Sequence, residues 1–245
     1  MLPGKLVAIV VLKIAAVTFV VGNVTAFLMG AWPIRFALVP YSDQEATAMA
    51  DLRTGLASDR PEAVTSLALL QFLHNDLDEA RRSIDSAASP RDGVLDALDA
   101  ALRVKEAGRA LDLAFGQFKL ARIRRALGDL DRLSTENPDD VLIQVLALAT
   151  FSSVHGIDDF QGKALPIAAR LEPALKTPGV PVDLAASGWL ALARTFANEA
   201  EAVEAGERPA WTARAAAALA SFDGLEGKSA WLDAERPAKL ARGAE

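Results

Sequence analysis

Residues 61–90 read Pro61-EAVTSLALLQFLHNDLDEARRSIDSAAS-Pro90, and their spacing decides the fold. Val64, Leu67 and Ala68 stand three and four positions apart, the separation that places side chains on one face of a helix. Ala80, Ile84 and Ala87 repeat that spacing further on. Between the two runs, His74-Asn75-Asp76 interrupts the apolar pattern, and Asp76 with Glu79 has the form of a capping box that opens a second helix. The stretch is therefore a helix, a tight turn and an antiparallel helix, with Pro90 closing the unit.

The same grammar extends over everything beyond Pro40. Ser42 with Glu45 and Asp59 with Glu62 are further capping boxes, and Asn137-Pro138-Asp139-Asp140 is a similar start signal. Breaks fall near His74–Asp76, Ser89–Gly93, Glu136–Pro138, His155–Gly162, Thr177–Pro181, Gly206–Pro209 and Gly224–Gly227. Ala and Leu dominate, and Val, Ile, Thr and Tyr do not alternate as strands require. The expected fold is all-α, with about ten helices joined by short connections into hairpins stacked in sequence.

The hairpin spacing recurs. Trp189-x-x-Leu192-Ala193-x-x-Phe196 matches the first-helix pattern, and Val145-x-x-Leu148-Ala149 repeats it. Ala126-x-x-x-Leu130-x-x-Leu133, followed by Pro138, matches the second-helix pattern. These residues resemble the tetratricopeptide (TPR) repeat, in which large and small apolar positions of two helices interlock. The unit at 61–90 keeps the family's spacing; those near 94–137, 138–176 and 182–222 run longer, with insertions between their helices. The resemblance implies a TPR-like α-solenoid with a concave partner groove lined by its first helices. The groove residues it implies are Val64, Leu67 and Gln71 with Trp189, Leu192 and Phe196. Another Ala-rich helical bundle would bury the same stripes.

The first 40 residues are of a different kind. From Leu6 to Trp32 the only formal charge is Lys13, and the first acid is Asp43. Such a run is long enough for a transmembrane helix, which needs about 20 apolar residues. A secretory signal has an apolar core of only about 7–15 residues, so the length favours an uncleaved anchor, although Val24-Thr25-Ala26 has the form of a cleavage site. Lys5, the amino terminus and Lys13 precede a span over 14–32, which puts the amino terminus on the cytoplasmic side. The expected organisation is an anchor over 1–40 and an extracytoplasmic TPR-like helical domain over 41–245. In a bacterial cell with two membranes this means a single-pass inner-membrane protein with its carboxy-terminal domain in the periplasm. Thr18, Gly22, Ala26 and Gly30 recur every fourth residue, a small-residue stripe suited to packing against another membrane helix.

Composition narrows the chemistry. Of 26 basic residues, three lie in the first 40, leaving 23 against 32 acids and a net charge of −9 beyond them. Such a domain is no general nucleic-acid binder and is not drawn to an anionic membrane surface. The absence of Cys excludes thiolate metal sites and Cys nucleophiles. His74 and His155 both fall near helix ends, where solvated or capping roles are the expectation. Asp139-Asp140 suits the first turn of a helix. Asp158-Asp159, in the most polar loop, lacks the alternating carboxylates of a calcium site. Trp189, Trp211 and Trp231 are expected on packed helix faces, and the run from Lys119 to Arg125 on a wet one.

No catalytic, cofactor-binding or metal site is therefore expected. The sequence points to a non-enzymatic, membrane-anchored scaffold or assembly factor that binds other proteins of a cell-envelope complex in the membrane and the periplasm. The alternatives are a permanent structural accessory subunit of such a complex and, further off, a carboxylate-based envelope enzyme.

Overall fold

The hairpin expected over 61–90 is present in the computed structural model. That structure describes residues 33–57, 61–87, 91–110, 112, 116–154 and 157–236, with Lys13, Val17, Phe19, Val20, Val21, Gly22 and Val24 nearer the amino terminus. Helices α1 (Asp43–Ala57), α2 (Pro61–Leu73), α3 (Leu77–Asp85), α4 (Gly93–Arg109), α5 (Gln117–Glu136) and α6 (Val141–Ser153) come first. A 3-10 turn (Asp158–Lys163) leads into α7 (Ala164–Ala174), α8 (Val182–Ala202), α9 (Arg208–Asp223) and the short α10 (Trp231–Ala234). Among the described residues there is no strand, so the protein is all-α.

Its arrangement is repeat-like. Helices α2 and α3, α4 and α5, α6 and α7, and α8 and α9 pack as successive hairpins. Each first helix also meets the second helix of the hairpin before it, and α2, α4, α6 and α8 touch in a continuous row. α1 packs on α2, at the beginning of the row. The longer units come from long helices and connections: α5 has 20 residues, α8 has 21, and the 3-10 turn stands between α6 and α7.

The core follows the apolar stripes. Leu98 and Leu102 of α4, Leu127 and Leu130 of α5, Leu148 of α6 and Leu192 of α8 are fully buried. Burying each leucine side chain favours folding by about 1.5–3 kcal/mol. Ala68, Ala126, Ala147 and Ala193 are also sealed, so the small positions bring the helices close. Gly188 carries this furthest, because a Cβ there would lie 2.7 Å from Leu175 Cδ1 and 3.2 Å from Val145 Cγ2. Charge stitches the seams as well. Arg81 of α3 bridges Asp99 at 2.5 Å and Glu106 at 2.9 Å on α4, and Arg103 of α4 reaches Asp129 of α5 at 2.8 Å.

The helix starts only partly obey the caps read from sequence. Ser42 and Glu45 form a complete box: the Ser42 N–H and hydroxyl donate to Glu45 Oε2, and the Glu45 N–H donates to Ser42 Oγ. Asp76 makes no side-chain cap, because the chain reverses at Asn75, a left-handed residue with φ 59, and the Asp76 carboxylate instead accepts from the Tyr41 hydroxyl at 3.3 Å. Asn137 ends α5, and it is Asp140 that caps α6 by accepting from the Ile143 N–H. Asp92 caps α4 in the same way through the Leu95 N–H. Asp59, Pro90 and His155 lie outside the described residues.

Of the expected anchor over 1–40, Lys13, Val17, Phe19, Val20, Val21, Gly22 and Val24 are described and helical, and 33–40 are described and extended. Thr18, Ala26 and Gly30 lie outside the described residues. Among the described residues no helix is long and apolar enough to cross a membrane.

Candidate interaction site

Two segments outside the hairpins converge on the row of first helices. The extended stretch 33–41 runs over the carboxy-terminal ends of α2 and α4: the Ile34 N–H donates to the Gly108 carbonyl and the Val39 N–H to the His74 carbonyl, both at 2.9 Å, and Asn75 Nδ2 donates to the Ala37 carbonyl at 3.1 Å. The second segment follows α9 and returns across α8 to α1. Ser229 anchors it, donating from its N–H and its hydroxyl, each at 2.7 Å, to the two carboxylate oxygens of Asp183 at the start of α8. Leu232 is then buried in the core cluster, and Arg194 of α8 donates to the Glu235 carbonyl at 3.4 Å.

His74 is the point where both segments meet. It stands just past α2, is fully buried, and has both ring nitrogens occupied. Nδ1 lies 3.0 Å from the Val39 carbonyl and Nε2 lies 3.2 Å from Glu45 Oε1. Both neighbours are acceptors, so the ring makes both bonds only when it carries two protons. Tyr41 stacks on the imidazole at 4.3 Å between centroids, and Trp231 meets it at 5.4 Å, tilted by 54°. Trp231 Nε1 donates to the same Glu45 Oε1 at 3.2 Å, which joins α10 to α1 across 186 residues of sequence. Burial pushes the Glu45 carboxyl up, but the two Ser42 bonds and His74 outweigh it and hold the carboxyl below its ordinary value. The Tyr41 hydroxyl is raised by burial and by Asp76.

Lys105 of α4 is the second centre. Its ammonium donates to the Phe72 carbonyl at 3.2 Å and to Asn75 Oδ1 at 2.7 Å, and sits 4.0 Å from the centroid of the Phe72 ring. Phe36 covers it from 5.7 Å. Burial pushes the ammonium down to about 8, with Glu235 acting to restore the charge and Arg194 acting against it. Burial also lowers Arg194, again opposed by Glu235. Glu235, itself exposed, thus acts on both cations through its charge and touches Arg194 through its main-chain carbonyl.

The six residues expected to line a partner groove are placed as follows. Val64, Leu67, Gln71, Trp189, Leu192 and Phe196 are all buried. Gln71 Oε1 accepts from the Ser83 hydroxyl at 2.7 Å and so ties α2 to α3, while Phe196 packs against Trp211 beneath Arg214. Repeat-consensus positions hold the two helices of a hairpin together, so they point inward. The face of the row is made by the residues between them, His74, Lys105, Ser153, Arg194 and Asn198. His74 is accordingly a buried joint and not the solvated residue expected. Lys105 carried a legible signal, since it continues the stripe Leu98, Ala101, Lys105, Gly108 and places one cation in an apolar register. Nothing local distinguished Glu45 or Trp231 as partners.

The other candidates stand apart from this junction. Asp158 and Asp159 fall in the 3-10 turn, where Phe160 stacks on Phe151 at 5.9 Å; their side chains lie outside the described residues. Among the described residues no cluster of His, Asp or Glu is placed to hold a metal ion. Arg122, Arg124 and Arg125 are exposed as expected, whereas Lys119 is buried. Comparison with protein-family models, with curated proteins and with solved structures finds no match.

Proposed function

We propose that the protein is a membrane-anchored helical-repeat scaffold or assembly factor, holding other proteins of a cell-envelope membrane complex against the row of first helices. The observation that carries this reading is the row itself: α2, α4, α6 and α8 lie side by side, the extended stretch 33–41 lies on the ends of α2 and α4, and the segment after α9 lies on α8. A surface that receives main chain, an indole and an aliphatic side chain from its own chain has the chemistry to receive them from another. The apolar run over 6–32 supports attachment to the cytoplasmic membrane, and the order of charges around it supports a periplasmic domain. The Thr18, Gly22, Ala26 and Gly30 stripe then serves a contact with a partner's membrane helix. In this role the protein is not an enzyme and needs no cofactor.

One observation favours a second reading. Because its own segment fills the row, the protein also suits a permanent accessory subunit whose outer helices pack against neighbours. The two differ in stoichiometry. Capture of the tagged protein from native membranes in mild detergent separates them: a scaffold or assembly factor recovers partners during assembly, and an accessory subunit is always found at fixed ratio. Recovery of the protein alone would refute both. Gly22→Leu with Ala26→Leu is expected to weaken the membrane contact; an unchanged complex would remove that part of the proposal.

A further inference from the structure

The segment 228–236 reads Lys228-Ser229-Ala230-Trp231-Leu232-Asp233-Ala234-Glu235-Arg236. Only four of these residues are helical, and of the helices α10 packs chiefly on α8. It is held by separate points: the paired bonds of Ser229 to Asp183, the Trp231 bond to Glu45, the buried Leu232 and the bond from Arg194. The hairpins beneath it share apolar seams along their whole length. A segment held at points opens at lower cost than elements held by seams, so it leaves while the row stays folded.

Its departure uncovers a particular chemistry. Glu45 loses its indole donor, His74 loses an aromatic neighbour, the Leu232 site empties, Arg194 loses the Glu235 carbonyl, and the charge of Glu235 leaves the neighbourhood of Lys105 and Arg194. Two partly buried cations then lie beside an apolar site, Arg194 without its carbonyl acceptor, and an incoming acid is the group their charge favours.

We propose that residues 228–236 are a displaceable clasp, and that the surface beneath them is the docking site for a partner protein segment of the same chemistry: an aromatic residue beside an aliphatic one, with an acid three or four positions on. The indole-bearing residue seats against His74 and Glu45, the aliphatic one enters the Leu232 site, and the acid lies between Lys105 and Arg194. This deepens the scaffold reading and rests on it, since it states which segment of a partner the row holds and that the free protein covers the site with its own chain.

The test uses the full chain in mild detergent and a labelled peptide of residues 228–236, read by fluorescence anisotropy. Trp231→Ala is expected to bind the peptide at least tenfold more tightly than the unaltered protein, because its clasp competes less. The same peptide carrying Glu235→Lys is expected to bind at least tenfold more weakly. Should Trp231→Ala fail to fold, Ser229→Ala with Asp183→Asn releases the other end of the clasp, and hydrogen exchange on the unaltered protein gives an independent reading: 228–236 exchanges faster than α4 and α8. A folded, loosened variant that ignores the peptide overturns the proposal, as does one that binds both peptides equally. Dimers of the unaltered protein that disappear with Trp231→Ala would place the segment on a second copy and overturn it too. The scaffold reading fails separately: peptide binding by a protein that is captured alone retires the scaffold and keeps the clasp, whereas a partner held equally by Trp231→Ala retires the clasp and keeps the scaffold.

Discussion

Replacing Glu45 by Gln alters the most heavily used side chain in the junction. One oxygen accepts from His74 and Trp231 at 3.2 Å each, and the other accepts from the Ser42 N–H at 2.8 Å and the Ser42 hydroxyl at 2.7 Å. An amide keeps a single acceptor. If its oxygen serves His74 and Trp231, its NH2 opposes the Ser42 N–H at the start of α1. If it serves Ser42, two ring N–H groups are left facing a donor. A hydrogen bond to a charged group contributes about 1.5–3 kcal/mol, and an acid in a first helical turn adds about 0.3–1 kcal/mol. The substitution should cost about 2–3 kcal/mol. With a urea slope of about 2–3 kcal/mol per molar for a domain of this size, the midpoint falls by about 1 M. The assay is urea unfolding at pH 7, followed by helical circular dichroism and tryptophan fluorescence. The pH dependence gives a second check. The folded carboxyl lies below its ordinary 4.5, so its stabilisation is complete above that value and is lost as pH falls through the folded one. The difference between the two proteins should therefore shrink on acidification. A midpoint within about 0.2 M of the unaltered protein, or a gap that does not narrow in acid, would refute the reasoning.

Three further outcomes are expected. Arg81→Ala removes the bridge from α3 to Asp99 and Glu106 and should destabilise by about 1–3 kcal/mol in urea unfolding; an unaltered midpoint would make the bridge incidental. Gly188→Ala forces a methyl to within 2.7 Å of Leu175 and should destabilise by about 1–3 kcal/mol, an effect that Leu175→Ala in the same chain partly relieves. Lys105, pushed down to about 8 by burial, binds its proton less readily folded than unfolded, where lysine is near 10.4; stability relative to Lys105→Met should therefore rise between about pH 8 and 10, and a gap that stays constant would place the ammonium in water.

The hairpins were legible because each is fixed by local chemistry. The three-and-four spacing of Val64, Leu67, Ala68, Ala80 and Ile84 is enough to specify two faces that bury each other, and the polar run at His74–Asp76 is enough to separate them. Capping was read less well, because an Asp or Asn near a break has several uses: Asp76 is taken by Tyr41, and Asn137 turns back to the Leu133 carbonyl. The junction was not legible. Glu45 and Trp231 are each ordinary at their own position, and only the packing of α1 on α2 and of α10 on α8 brings them within 3.2 Å. The consensus positions report which residues lock a hairpin, and Val64, Leu67, Gln71, Trp189, Leu192 and Phe196 are buried accordingly.

On the scaffold reading, another protein is held on the face of the first helices, beside the clasp. Photo-crosslinking in living cells tests it most directly, with the reactive residue at Ser153, which is exposed beside Arg194, and in a separate strain at Arg122, on the exposed side of α5. One discrete product is expected from position 153, increased by Trp231→Ala, and none from position 122. Products from position 122 with none from 153 would contradict it, and would move the interaction to the outer helices.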